Sequence, residues 1–161
     1  MKYIPYGHQW IDEEDIEEVV EVLKSDWITT GPKIEEFETA LCKYIGCKYA
    51  VAVNSGTSAL DIAVQALNLP AGSEIITTPF TFVATSNAVL YNNLKPAFVD
   101  IEKETRNINP EEIRKKITEK TKAVIYVDYA GHPCDIEEIK EIAEEHDLYL
   151  IEDASHAIGA E

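Results

Sequence analysis

From residue 48 onward the sequence alternates short apolar runs with stretches of helical period, and that rhythm limits what the chain can fold into. Tyr49–Val53, Glu74–Thr78, Pro96–Asp100, Ala123–Asp128 and Leu148–Glu152 are rich in Val and Ile, and each has strand length. Between them lie four helical segments. Ser55 precedes one carrying Leu60, Ala63, Val64 and Leu67, and a second runs from about Phe82 to Tyr91. Asn109-Pro110 caps one with Ile113 and Ile117, and Asp135 caps one with Ile136, Ile139, Ile142 and Ala143. Strands that are nearly continuous apolar runs, separated by helices, predict an α/β protein with a parallel sheet covered on both faces, three layers in all. Right-handed crossovers then bring every strand's C-terminal end to one edge, where such sheets bind ligands.

Ahead of this region two amphipathic helices are expected. Asp12 to Ser25 sets Ile16, Val19, Val20 and Leu23 on one face, with Asp12 as N-cap. Pro32 opens the other, whose Ile34, Phe37, Leu41, Tyr44 and Ile45 share a face before Gly46 ends it. No repeat or linker divides the 161 residues, which is one domain's length of chain.

Charge narrows the partners. Thirty acids against 14 bases leave a net charge of -16, which repels nucleic-acid phosphates and anionic membranes. The densest basic stretch, Arg114 to Lys122, is broken by Glu119. No apolar run approaches a membrane span, and Met1-Lys2-Tyr3-Ile4-Pro5 has no signal-peptide core, so a cytoplasmic protein is expected. Cys42, Cys47 and Cys134 lack a second close Cys/His pair of zinc spacing and are read as small buried thiols, with no metal site.

The expected strand ends carry the chemistry. Asn54-Ser55-Gly56-Thr57-Ser58-Ala59-Leu60 is a small-residue turn running into a helix start. Its free N–H groups and helix dipole suit a phosphate, with the Thr57 and Ser58 hydroxyls as further donors, although such a turn also serves merely as a cap. It is neither a Walker A loop nor a dinucleotide fingerprint. Phe80 and Phe82 could wall a planar ligand or pack beneath the next helix. Asp100, Asp128 and Asp153 end strands. Asp153 is followed by Ala154-Ser155-His156-Ala157-Ile158-Gly159-Ala160, too small and flexible for a covering helix, so His156 could share a ligand with Asp153.

In their order, Ile28-Thr29-Thr30-Gly31-Pro32, Asn54 to Leu60, Thr81-Phe82-Val83-Ala84-Thr85, Ala97-Phe98-Val99-Asp100, Gly131-His132-Pro133-Cys134-Asp135 and Glu152 to Ala160 make the chain resemble one family. It is DegT/DnrJ/EryC1/StrS, whose members are nucleotide-sugar aminotransferases dependent on pyridoxal 5'-phosphate. The resemblance covers nearly the whole chain and looks closest to the branch acting on UDP-4-keto-6-deoxy-hexosamines. It implies the aspartate aminotransferase-like (type I) fold, with 1–47 as an N-terminal helical segment and 48–161 as the first part of the cofactor-binding large domain. The rest of that domain and the small C-terminal domain would be absent.

The same resemblance implies roles for particular residues. Gly56, Thr57 and Ser58 would form the phosphate cup, Phe82 would stack on the cofactor ring, and Asp153 would pair with the pyridine nitrogen. His156 would lie near the phenolic oxygen, and Thr30 and Gly31 on the substrate side. A carboxylate at the ring nitrogen keeps it protonated, so that the ring accepts electrons when the amino acid's α-proton leaves. His132 and Asp128 depart from the family's usual residues and receive no role.

The family's Schiff-base lysine lies beyond the Asp153 segment, and none of this chain's lysines matches its motif. The expectation is therefore the N-terminal part of an enzyme moving an amino group, from glutamate, to the C4 ketone of a nucleotide-linked 6-deoxy-hexosamine. Such an enzyme would be a homodimer at full length, and this chain would be inactive alone. Two other readings stand beside it: a non-catalytic remnant that binds the cofactor or a nucleotide sugar and dimerises, and a Mg²⁺ site built from Asp100, Asp128 and Asp153.

Overall fold

The computed structural model describes residue 3 and residues 7–160. Most of the N-terminal stretch inspected above for a leader, and Glu161, lie outside the described residues. The chain divides into two compact units, residues 1–52 and 53–161.

The first unit holds α1 (Glu13–Lys24) and α2 (Pro32–Ile45). Asp12 caps α1 by accepting the N–H groups of Glu14 and Asp15, and the Asp15 carboxylate accepts the Asp12 N–H in return. Gly31 is the N-cap of α2, and Gly46, at φ 80°, ends it in the left-handed region that glycine tolerates best. Both helices are amphipathic as expected, but neither buries a residue. Ile16, Val19, Leu23 and Phe37 are exposed.

Tyr49–Val53 is a correction to the sequence reading. It forms no strand, and Tyr49 and Val51 are each 76% exposed. An apolar run becomes a strand only when a neighbour supplies the ladder. Here the Ala52 N–H instead donates to Glu38 Oε1 at 2.7 Å.

The second unit contains α3 (Gly56–Ala66), β1 (Glu74–Thr77), α4 (Ala84–Tyr91), β2 (Lys95–Phe98), α5 (Pro110–Lys116), β3 (Thr121–Val127), α6 (Ile136–His146) and β4 (Tyr149–Asp153). The four strands form one parallel sheet in the order β2-β1-β3-β4. Ser55, Asn109 and Asp135 cap α3, α5 and α6 through side-chain oxygens, as their sequence positions predict.

Alternation along the strands splits the core into two layers. Ile75, Ala123 and Ile125 face Leu60 and Val64 of α3 and Ala88 and Val89 of α4. Ile76, Val124 and Tyr126 face Ile113 of α5 and Ile139 and Ile142 of α6. The strand order explains this division. The chain moves outward from β1 to β2, then returns across β1 to β3, and crossovers of one hand must then place α4 on one face and α5 and α6 on the other. The reversal lies between β1 and β3, and crevices open beside such points.

Candidate active site

A cavity of about 300 Å³ opens at the C-terminal ends of β1, β3 and β4. Gly56, Thr57 and Leu60 line it from α3, Thr81 and Phe82 from the turn after β1, Ala84 from the start of α4, Val127 from the end of β3, and Asp128 and Tyr129 from the turn after it. Asp153, Ser155 and His156 complete it from β4 and the turn that follows.

Ser55 places the start of α3. Its Oγ accepts the Ser58 N–H at 3.1 Å, leaving the Gly56 and Thr57 end of the helix at the cavity wall. A Cβ built on Gly56 would stand 3.6 Å from Ser155 Oγ, so any side chain there would occupy the cavity. Ser58 behaves differently from the expectation of a ligand-facing hydroxyl. Its Oγ donates to Asn54 Oδ1 at 2.8 Å and accepts from Ser55 Oγ, which braces the turn from within.

Asp153 is buried, 7% exposed, at the end of the inner edge of β4. Its Oδ1 accepts from Ser155 N at 3.2 Å and Ser155 Oγ at 2.5 Å, and its Oδ2 accepts from Thr85 Oγ1 at 3.4 Å. Thr85 is fully buried and shares a hydrogen bond with Thr81 Oγ1 at 2.9 Å. The carboxylate is thus oriented by hydroxyls and an amide, with no cation among these partners. Thr85 and Ser155 are site residues missed as supports, although both sit inside quoted motifs; a hydroxyl one turn into a helix gives no sign in sequence of which carboxylate it will meet.

The two aromatics separate. Phe82 lines the cavity and is 73% exposed, whereas Phe80 stacks at a tilt on Tyr129 with ring centroids 4.6 Å apart. His156 also lines the cavity and is exposed. Its backbone oxygen lies so near Gly131 (φ 85°) that a Cβ there would come within 2.8 Å, which makes glycine a geometric requirement. Buried Asn107, which sequence reasoning passed over, holds the neighbouring turn. Its amide donates to the carbonyls of His132 (2.9 Å) and Pro133 (3.0 Å), and its Oδ1 accepts the Tyr129 N–H (3.0 Å). An isolated Asn between strands carries no pattern that would have announced this.

Asp128 is buried and its Oδ1 accepts the Cys134 N–H at 2.9 Å. Burial, then the neighbouring Asp128 carboxylate, pushes the Cys134 thiol up to about 12. Burial and Asp128 also raise the Glu152 carboxyl, and burial raises the Tyr126 phenol. Asp100 is exposed, and its Oδ1 accepts the Ile101 N–H. Among the described residues no three His, Cys, Asp or Glu side chains gather as metal ligands, so the three-aspartate Mg²⁺ reading fails. Among the described residues no lysine lines the cavity.

Thr30 and Gly31 belong to the first unit. Thr30 is exposed at φ 52°, and Gly31 helps line a cavity of about 230 Å³ with Trp27, Ile28 and Lys33. A Cβ on Gly31 would meet the Trp27 carbonyl oxygen at 2.8 Å.

A helix N-terminus, an aromatic and a buried carboxylate meet around one strand-end cavity, an arrangement of α/β proteins that suits a phosphorylated ligand. Residues 9–161 match the DegT/DnrJ/EryC1/StrS aminotransferase family, and the chain belongs to it. It is 54% identical over 159 residues to the uncharacterised protein MJ1066 of Methanocaldococcus jannaschii, covering 99% of this chain and 41% of that one. With the spore coat polysaccharide biosynthesis protein SpsC of Bacillus subtilis it shares 41% identity, covering 97% of this chain and 40% of SpsC. Among solved structures, Helicobacter pylori PseC, an aminotransferase involved in the biosynthesis of pseudoaminic acid, superposes with a TM-score of 0.94 at 39% identity, covering 98% of this chain and 43% of PseC.

The chain therefore spans about two fifths of the length of these relatives. The fold is that of the type I, aspartate aminotransferase-like enzymes. The family's cofactor is pyridoxal 5'-phosphate, and solved members hold it in the pyridoxal or pyridoxamine form.

Proposed function

We propose that this chain is the cofactor-seating N-terminal part of a sugar aminotransferase, working on a nucleotide-linked 4-keto-6-deoxy sugar with glutamate as amino donor, in the cytoplasm and as a homodimer at full length. Similarity to SpsC and PseC supports the sugar assignment, and the -16 charge agrees with a small-molecule substrate rather than a nucleic acid. The carrying observation is the buried Asp153 carboxylate in one cavity with the N-terminus of α3.

The residues fit pyridoxal phosphate. Gly56 and Thr57 would receive the phosphate, Ser58 would brace that turn, Phe82 would cover the ring, Asp153 would hold its nitrogen and His156 would stand at its oxygen-bearing edge. When bound, the cofactor supplies an electron-accepting ring that carries the amino group between donor and sugar. Asp153 would hold the proton on the ring nitrogen, Thr85 and Ser155 fix the carboxylate's direction, and the helix N-terminus would hold the phosphate. Thr30 and Gly31 would serve the sugar side. With no lysine at the cavity wall, the chain by itself would bind the cofactor weakly and would not transaminate.

Spectroscopic titration of the chain with pyridoxal phosphate tests the seat. Saturable binding that is weakened at least tenfold in Asp153→Ala is expected. Borohydride reduction followed by peptide mapping should give scattered, substoichiometric labelling of surface lysines; one stoichiometrically labelled lysine would overturn the statement that the chain lacks a Schiff-base partner.

A further inference from the structure

The C-terminal turn of α2 and the residues after it carry a pair of thiols outside the cavity just described. Gly46 is left-handed, and its N–H donates to the Cys42 carbonyl at 2.9 Å. That cap folds the chain back over the last helical turn and brings the residue after the glycine against the one three or four positions before it. Here those residues are Cys47 and Cys42, near enough for the Cys47 thiol to act on the Cys42 thiol. Cys47 is exposed and Cys42 half-buried, which corrects the expectation that both are buried thiols; only Cys134 is. The Cys47 Sγ also donates to the Tyr49 carbonyl at 3.3 Å. Zinc would need further ligands, and among the described residues no group of three gathers.

We propose that Cys42 and Cys47 form a redox-reversible dithiol that closes to an intramolecular disulfide with low-molecular-weight disulfides. The exposed Cys47 thiolate attacks one sulfur of the oxidant RSSR, forming a mixed disulfide and releasing RS⁻, which takes up the proton Cys47 gave to solvent. Cys42 sulfur, losing its proton, then attacks Cys47 Sγ and expels the second RS⁻, which takes up that proton. The two protein thiols are oxidised and RSSR is reduced to two RSH. The order of attack follows from exposure, and burial with the nearby Cys47 and Glu38 raises the Cys42 thiol, which makes it the resolving partner. The helix-end cap turns the chain between the two cysteines back on itself, which shortens the gap a disulfide has to close.

Trypsin provides the readout, since Lys43 and Lys48 place the two cysteines in separate peptides, Ile34–Lys43 and Tyr44–Lys48. After treatment with oxidised glutathione, a non-reducing digest should show these two peptides joined, from protein that still migrates as a monomer on a non-reducing gel. Iodoacetamide labelling of both cysteines should be lost together and restored by dithiothreitol, and Cys47→Ser should leave Cys42 fully alkylatable. A stable glutathione adduct on Cys47 with Cys42 still free, a disulfide between two copies of the chain, or no reaction at either thiol would each overturn the proposal.

Discussion

Single residues decide whether the cavity keeps its shape. Asp153 is buried with three donors directed at it, so Asp153→Ala leaves Thr85 and Ser155 without their acceptor inside the fold. A cost of about 1–3 kcal/mol is expected, read as a lower urea midpoint. Asp153→Asn should retain most of that stability while losing affinity for the cofactor, which separates the charge's role from the hydrogen bonds. Gly131→Ala forces a side chain into a left-handed position and against the His156 carbonyl oxygen 2.8 Å away. It should cost more than about 1 kcal/mol in the same measurement and weaken cofactor binding, because the His156 turn must move. At this scale the sequence was informative where chemistry is local. Gly56, Thr57, Phe82, Asp153 and His156 all line the expected cavity, whereas Asn107 and the part played by Gly131 depend on partners more than 20 residues away.

Elements show where local pattern stops being sufficient. Ser55 could be read as the cap of α3 because capping involves only the next three residues, and Ser55→Ala should cost about 1 kcal/mol in a denaturant titration and loosen the phosphate seat. Tyr49–Val53 was misread for the complementary reason. Its composition suits a strand, but a strand is a relationship between two segments, and here side chains, Glu38 at the Ala52 N–H and Cys47 at the Tyr49 carbonyl, answer its backbone instead. The β3–β4 pair adds a pH effect. Tyr126 stands opposite Glu152, and burial together with Asp128 raises the Glu152 carboxyl. The folded state therefore binds this proton more tightly than the unfolded chain. The contribution is favourable below the ordinary glutamate range and is lost as pH rises through the raised value. Glu152→Gln should flatten that part of the stability-against-pH curve measured by urea denaturation. On the same face, buried Cys134, held up to about 12, should alkylate far more slowly at neutral pH than exposed Cys47.

For the whole molecule, the parallel sheet with helices on both faces was legible because crossover handedness and strand hydrophobicity leave few alternatives, and the four strands after residue 70 lie within two residues of their expected bounds. Burial of the first unit's apolar stripes was not legible, since periodicity gives a helix its face but not a surface to cover it. The net charge of -16 acts on the entire chain. Moderate salt should screen that self-repulsion and raise the thermal midpoint, measured by circular dichroism across a sodium chloride series.

The strand order β2-β1-β3-β4 has a kinetic consequence as well. The hydrogen bond from Thr85 to Asp153 closes 68 residues of chain, and the cavity needs β1, β3 and β4 side by side before its walls meet. Contacts so distant along the chain form late, after local helices. Cofactor added during refolding should therefore bind only in the final phase, and its spectral change would time the docking of β4 rather than the earlier collapse.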